Sequence, residues 1–590
     1  MRIELPVGGY ICSSIEVMTI ARWQIAIGGK KVTRLESLGK VIDTDVLVVG
    51  GGIAGLWAAT RAREFVESVL IVDKGSVNGG GQALRAGGDF DAVLPEENVD
   101  DFLEELVYYF DGLCEQDLIE ELLKHSFDRM MDYERLGHHF FRGSDGKLKG
   151  IPQRGLKHVK CYLYRPYGTG GKDMVNAVSN RANMLGIQRL GRICITDFIK
   201  TDGTVVGAVG FNIINADFYI IRANAVILTT GIDGVVMSLR AGAELKNCEF
   251  VNIGTRTKDF AWEGLTSLLP FGAKYVNSKG EHFMDKYSPS LGSNTDYNYI
   301  AISMAFEERA GRGPFYVDCS EIKPEDVELM MPETGWQHLN HKKLLHLGIN
   351  FFESKSECVP RFRLGGGGGI VVDKECYTKV PGLFAAGTKL ATDTGVYIGG
   401  WNLCKTAVTG SIAGESAGKY ARSAKPFQID AGEVETGKRQ IYSRLVKDGI
   451  SPREVLKNIQ KIMRPYEVTI LKNDVSLKNT LKEVITVRNE LLPQVAAKDA
   501  HYLMKSIEAE DMVLGTELFL RASLLRTESR AGHYREDYPN RDDINWLKWI
   551  IFSEKDNKLN TRTEALPLNR YKFKPRRYYM DNFRFPQDSG

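Results

Sequence analysis

Asp43-Thr44-Asp45-Val46-Leu47-Val48-Val49-Gly50-Gly51-Gly52-Ile53-Ala54-Gly55 is the stretch on which the fold of this chain turns. An apolar run of strand type ends in Gly-x-Gly-x-x-Gly, formed by Gly50, Gly52 and Gly55. A helical stretch, Leu56 to Phe65, follows, and then a second apolar strand, Ser68 to Val72, closed by Asp73. The glycines permit a tight turn and let a pyrophosphate approach the helix N-terminus, where unpaired N–H groups and the dipole favour anions. Asp73 stands where a carboxylate accepts hydrogen bonds from a ribose. Gly50, Gly52, Ile53, Ala54, Gly55, Asp73 and Lys74 are therefore expected to hold a dinucleotide.

The rest of the chain narrows the class. At 590 residues it is too long for a single core. Hydrophobic content of 43% and charged content of 26% are those of an ordinary globular protein. Lys and Arg number 77 against 75 acidic residues, a balance that argues against a nucleic-acid partner. No stretch approaches the roughly 18 uninterrupted apolar residues that span a bilayer. Residues 1–42 read as an extension without a secretory signal, so the expected location is cytoplasmic. The nine cysteines are widely spaced and include no Cys-x-x-Cys, which argues against a disulfide framework and against an iron–sulfur cluster within the chain. Electrons that leave singly must then pass to another chain.

Later segments choose between the dinucleotides. A second glycine-rich stretch, Gly79 to Asp89, follows Asp73 and Lys74 directly, where a chain can run back past an isoalloxazine ring on bare backbone; Gly80, Gly81, Gln82, Gly87 and Gly88 are its expected contacts. Val226 to Gly231 reads as a buried strand ending in small residues, with Thr230 and Gly231 at the cofactor, and Pro381 to Gly387 repeats the form. Thr394 to Asn402 then opens a helix, Leu403 to Tyr420, placing Gly387, Trp401, Asn402 and Leu403 beside the cofactor. That order of segments points to FAD and to an α/β, Rossmann-like FAD-binding fold.

With these residues in place, the chain resembles the flavoprotein subunits of succinate dehydrogenase, fumarate reductase and adenylylsulfate reductase, together with L-aspartate oxidase. The likeness runs from about Asp43 to Tyr579, and its most specific outlying part is Arg526 to Trp546, which looks like the family's C-terminal "ESRG-H-REDYP-RDD-NW" signature. The resemblance implies an FAD-binding domain in two parts, 43–240 and 361–428, around an inserted α+β capping domain, 241–360, with a helical C-terminal domain and tail over 429–590. Within it, Arg530 and His533 are expected to tie the helical domain to the flavin domain, and the basic, aromatic tail from Tyr571 to Phe585 to lie as a solvated strand on the surface.

The resemblance also shows what the chain has lost. The histidine that binds flavin covalently in succinate dehydrogenases falls at Gly81, and no histidine occurs between Met1 and Lys124, so the FAD is expected to be noncovalent. The dicarboxylate-binding histidines fall at Gly254 and Arg361, the proton-donor arginine falls in Leu291 to Asp296, which has no base, and a further arginine falls at Tyr397. Two carboxylates leaving water need paired cations, so succinate and fumarate are doubtful substrates. The motif pattern is closer to adenylylsulfate reductase: Thr255 to Phe260 resembles its "ARFKDG", and Glu308 to Asp318 its "REGRGPIYMD". The active-site histidine of that enzyme, however, falls near Gly365, in a glycine run from Gly365 to Gly369 expected to expose N–H groups and leave room for a larger or flatter substrate.

Arg256 and Arg361, as anion receivers, and Tyr397, as a proton donor, are the expected catalytic residues. The leading reading is an FAD-dependent oxidoreductase acting on a small molecule and exchanging electrons with a separate ferredoxin-like iron–sulfur subunit. Two alternatives are a soluble fumarate-reductase-like enoate reductase and, from another class, an electron-transfer or scaffold flavoprotein with a decayed substrate site. Acid precipitation should release all the yellow colour into the supernatant; flavin retained in the pellet would overturn the noncovalent expectation.

Overall fold

The structure, a computed structural model, describes residues 34–163, 170–231, 233–258, 265–323, 325–326, 336–350, 352–556 and 558–586. Most of the N-terminal extension, and Asp259 and Phe260 of the adenylylsulfate-reductase-like motif, lie outside them. The last residues of the expected extension are part of the fold: strand β1 runs Lys40–Val49 and pairs from Lys40 onward.

β1, helix α1 (Ile53–Ala62) and β2 (Val69–Val72) form the strand–turn–helix–strand unit anticipated from the glycines. The apolar run of β1 is needed because the strand is covered on both sides: Val46, Leu47 and Val48 have no exposed surface. β3 (Gln188–Leu190), β4 (Ile193–Thr201), β5 (Thr204–Asn212) and β6 (Phe218–Leu228) extend the sheet in the order β3-β2-β1-β6-β5-β4. β3, β2, β1 and β6 run parallel, whereas β6, β5 and β4 form an antiparallel ribbon.

A second, four-stranded antiparallel sheet covers the mouth of the first unit. Its strands are β7 (Val251–Thr257), β8 (Lys274–Val276), β9 (Phe315–Asp318) and β10 (Ser356–Gly366), ordered β7-β10-β9-β8. Helix α2 (Tyr297–Arg309), which precedes β9 in the chain, packs beside it. The chain then returns to the first sheet: β11 (Leu383–Ala385) pairs parallel with β6, and helix α3 (Trp401–Ser423) lies along α1. The C-terminal part holds the 26-residue helix α4 (Ala500–Leu525) and a hairpin, β12 (Lys548–Lys555) with β13 (Lys558–Ala565).

The tail is not a solvated strand. Tyr571, Tyr578 and Tyr579 are buried, the Phe583 ring stacks on Tyr299 at 3.8 Å between centres, and Phe585 packs against Tyr287 and Tyr534. Its aromatic content is explained by this apolar surface, which its basic residues do not bury. No helix among the described residues is long and apolar enough to cross a membrane.

Why α3 lies so close to α1 can be read from residue spacing. Gly410, Gly414 and Gly418 recur every four residues and so share one face of α3. A Cβ at Gly414 would stand 2.2 Å from the Ala58 carbonyl oxygen, and one at Gly410 2.5 Å from that of Ala54. Backbone cannot swing aside as a side chain can. Gly414→Ala should therefore lower the melting temperature, with an overpacking cost of about 1–3 kcal/mol exceeding the helix-propensity gain of about 1 kcal/mol. Gly437→Ala, at a helical site where a Cβ would meet nothing within 4 Å, should instead raise it. Thermal denaturation of the two variants side by side checks the sign.

Candidate active site

The turn after β1 is held open by its glycines. Gly50 adopts φ +111°, and a Cβ there would press on the Thr229 carbonyl at 2.6 Å. Gly55 lets the helix seat on the strand end, because a Cβ would fall 1.9 Å from the Gly50 carbonyl oxygen. Gly52 precedes the first turn of α1 with no side-chain cap, and a Cβ there would meet no atom within 4 Å. The N-terminal N–H groups of α1 are thus left for a ligand. Asp73 closes β2 and braces the turn, accepting from Gly51 N at 2.6 Å and from Gly75 N at 2.7 Å.

These residues open on a cavity of about 780 Å³. Of the residues expected at the cofactor, Gly50, Gly52, Ile53, Ala54, Asp73, Lys74, Gly80, Gly81, Gln82, Gly87, Thr230, Gly231, Gly387, Asn402 and Leu403 line it. Gly55, Gly88 and Trp401 do not. Gly55 and Gly88 serve close backbone packing, Gly88 at φ +87° with Gly170 2.9 Å from its absent Cβ, and Trp401 is buried in the core. Lys74 is tied to Asp233 at 2.6 Å and Glu508 at 2.7 Å; burial opposes its charge, but the two carboxylates outweigh it and hold the ammonium above its ordinary range. At the far glycine loop, Gln153 Nε2 donates to the Gly399 carbonyl at 2.9 Å. Gly400 leaves room for the buried Asp91, whose carboxyl is pushed well above its ordinary range by burial and by Asp89. The donor set fits FAD: a bare helix N-terminus, an acid at the end of β2, and glycine backbone at Gly81 where a Cβ would meet nothing within 4 Å. No histidine lines the cavity among the described residues.

The capping sheet supplies the opposite wall. Period-two alternation puts Asn252, Gly254 and Arg256 of β7 on one face, and β10 adds Arg361 and Arg363, with Gly254 paired to Arg361 and Asn252 to Arg363. Arg256, Arg361 and Arg363 all line the cavity; Arg256 is exposed and the other two are half-buried. Arg361 Nη2 donates to Asn252 Oδ1 at 3.4 Å. Tyr397 also lines the cavity, and burial pushes its hydroxyl well above its ordinary range, so it keeps its proton. The three expected catalytic residues are thus brought together. Sequence reading missed Arg363 and Asn252, although both were signalled by the alternation that placed Arg361 and Arg256. It also missed Arg154 and Tyr297, for which no local pattern exists.

Over Gly367 to Gly369 the glycine run does not open the site as expected. A Cβ at Gly369 would lie 1.9 Å from the Lys389 carbonyl oxygen, one at Gly368 2.7 Å from that of Asn247, and one at Gly367 2.7 Å from Phe250 Cβ. Gly367 and Gly368 donate their N–H groups to the Phe250 carbonyl, each at 3.2 Å. These glycines admit neighbouring backbone, and a substrate cannot use the same space.

Comparisons with known proteins agree with this geometry. Residues 45–252 match a family described as FAD binding domain, and residues 456–578 match the fumarate reductase flavoprotein C-terminal family. The chain thus joins an FAD-binding domain to a C-terminal domain of the fumarate reductase flavoprotein type, and its relatives are fumarate reductase and succinate dehydrogenase flavoproteins. It is accordingly a flavin-dependent oxidoreductase that binds FAD. A relative from Methanothermobacter marburgensis, one of the subunits of its fumarate reductase (CoM/CoB), is 28% identical over 88% of this chain and 98% of that one. Among solved structures, E. coli quinol fumarate reductase superposes with a TM-score of 0.82 at 21% identity, over 91% of this chain and 98% of that one. Adenylylsulfate reductase from Archaeoglobus fulgidus gives 0.76 at 21% identity, over 93% and 100%. At such identities the structural likenesses establish the shared fold.

The family's C-terminal signature is structural in this chain. Arg526, Arg530 and Arg535 have no exposed surface. Arg530 pairs both oxygens of Glu528 at 2.8 Å and donates to the Asp111 carbonyl, while His533, fully buried among cations, is held neutral.

Asp296 caps α2 by accepting from Asn298 N at 2.8 Å, beside the cavity-lining Tyr297. Burial raises its carboxyl to about 6, against Arg154 and the backbone donors that lower it. The folded protein therefore binds a proton that the unfolded chain has already lost between its ordinary value near 4 and pH 6. Stability should fall as pH rises through that window, by about 2–3 kcal/mol more in the wild type than in Asp296→Asn. Denaturant titrations at pH 4.5 and 7 of both proteins measure the difference.

Proposed function

We propose that this chain is the catalytic flavoprotein subunit of an oxidoreductase whose substrate is an organic anion other than succinate or fumarate, and that it exchanges electrons with a separate iron–sulfur protein. The carrying observation is the wall that faces the glycine loops: guanidinium groups of Arg256, Arg361 and Arg363 on one face of the capping sheet, with glycine at 254. A guanidinium pairs a carboxylate through two parallel N–H donors, each worth about 1.5–3 kcal/mol when charge-assisted. Asn252 orients Arg361, and Arg256 draws the anion in from the exposed rim. Tyr397, kept protonated by burial, offers its hydroxyl as a hydrogen-bond donor to the anion. Ile151, Leu163 and Phe271 give the cavity apolar surface, which strengthens these ionic contacts by excluding water.

Bound FAD, held without a covalent link, supplies the redox chemistry. Relatives named as subunits support a multi-chain enzyme. The described cysteines are unpaired and form no metal-holding group, so single-electron transfer calls for a centre on another chain. A scaffold with a decayed site is disfavoured by the retained guanidinium wall.

Anaerobic reduction of the FAD-loaded chain, followed by mixing with candidate acceptors, tests the reading. Fumarate should leave the flavin reduced, whereas the true substrate should restore its absorbance. Arg361→Ala should raise the KM for that substrate at least about tenfold, close to 1.4 kcal/mol, with FAD content unchanged. Rapid reoxidation by fumarate, lost in Arg361→Ala, would overturn it.

A further inference from the structure

Another part of the same cavity is a column of rings and one guanidinium. Tyr297 and Tyr397 stack nearly parallel, 4.7 Å between centres and 21° between planes. The Arg154 guanidinium carbon lies 4.4 Å from the centre of the Tyr297 ring and 5.8 Å from that of Tyr397. All three side chains line the cavity. They come from three separate segments: the loop after the strand Gly150–Pro152, the first turn of α2, and the loop before α3.

The column is braced throughout. Asp296 accepts from Tyr397 N at 3.2 Å and from Asn298 N at 2.8 Å, which ties Tyr397 and the first turn of α2, where Tyr297 sits, to one carboxylate. Arg154 Nη2 donates to the Tyr397 carbonyl at 3.4 Å. Its Nη1 is buried and makes no hydrogen bond, so the rings are its main partner. Tyr297 fits only because residue 254 is glycine: a Cβ there would touch its ring at 2.8 Å.

Tyr297 is buried and Tyr397 only half-buried, so the braced pair, beside a guanidinium, presents the Tyr397 ring to the cavity as a flat, polarised surface. Planar delocalised groups gain from offset stacking on such a surface beyond the area they bury, whereas a puckered saturated body of equal size does not. We propose that the substrate carries a planar aromatic body on its carboxylate, with Tyr397 as the specificity-determining residue that stacks on it and Tyr297 and Arg154 as the residues that position Tyr397. The inference rests on the anionic-substrate reading above. In this arrangement Arg361 and Arg363 receive the charge and the Tyr397 ring receives the body.

Benzoate and cyclohexanecarboxylate share charge and approximate size and differ in planarity. Each is titrated into the full, FAD-loaded chain while the visible spectrum of the bound flavin is followed. Benzoate should bind at least roughly tenfold more tightly. Tyr397→Leu should reduce that preference to below about threefold with flavin content unchanged, while Tyr397→Phe, which keeps the ring, should retain it. Arg154→Met should reduce the preference more than it weakens cyclohexanecarboxylate, the signature of lost positioning. Equal affinities in the wild type, or a preference that survives Tyr397→Leu, would overturn the stacking proposal while leaving the anion site standing. A flavin that responds to fumarate or succinate and to neither ring acid, or to no carboxylate at all, would overturn both.

Discussion

Close approach of bare backbone is the constraint from which the rest of this structure follows. Gly55 must sit against the Gly50 carbonyl, where a Cβ would stand 1.9 Å from the oxygen, before α1 can aim its N-terminus along the strand end. The same helix is then gripped from its other side by Gly410 and Gly414, which rest on the Ala54 and Ala58 carbonyls. Interiors are packed as densely as organic crystals, so an added methyl at any of these points must displace the helix. The helix terminus also lines the cavity whose donor set fits FAD. Folding and cofactor binding therefore draw on the same few contacts.

A second constraint fixes the capping sheet to that frame. Arg526 reaches Glu249 at 2.7 Å, only two residues before β7 begins, and shares Glu528 with Arg530. Asp111, in the loop before the helix Gln116–Arg135, accepts from Ala531 N at 3.1 Å and from Met580 N at 2.8 Å, and Tyr299 of α2 donates to it as well. Buried ion pairs add little net stability, because desolvation consumes most of the Coulomb gain, yet removing one partner is costly. What this network supplies is register: the root of β7, the start of α2, the C-terminal signature and the tail all close on the same carboxylates. The arginine-bearing face of β7 and β10 is held opposite the glycine loops as a result.

The two sides of the cavity were unequally legible in the sequence. The cofactor side is written in short-range terms, since glycine spacing, strand hydrophobicity and a terminal acid lie within 31 consecutive residues, and most of the residues expected there line the cavity. The misses on that side, Gly55, Gly88 and Trp401, are packing residues inside the same segments, and a glycine that admits backbone looks in sequence like a glycine that admits ligand. Gly367 to Gly369 misled for the same reason. On the substrate side Arg256 and Arg361 were visible as charges at motif positions, and Arg363 was implied by alternation. Arg154 could not be found, because its role comes from a stack with Tyr297 and Tyr397, residues 143 and 243 positions further along. The tail was misjudged because its basic residues suited solvent, while the aromatic surface it had to cover is formed only in the folded chain.

Glycine at 254 and the ring pair depend on each other sterically. Gly254 lies on the cavity face of β7, and Tyr297 occupies the space a side chain there would need. A histidine at 254 would require Tyr297 to move, and moving Tyr297 removes the stack under Arg154 and exposes a buried guanidinium whose Nη1 has no other partner. Residues in direct contact do not change independently. A side chain at 254 and the present position of Tyr297 therefore exclude each other. The position of the ring pair is thus set by a packing choice at a glycine, as the turn after β1 is set by the packing of Gly55 on Gly50.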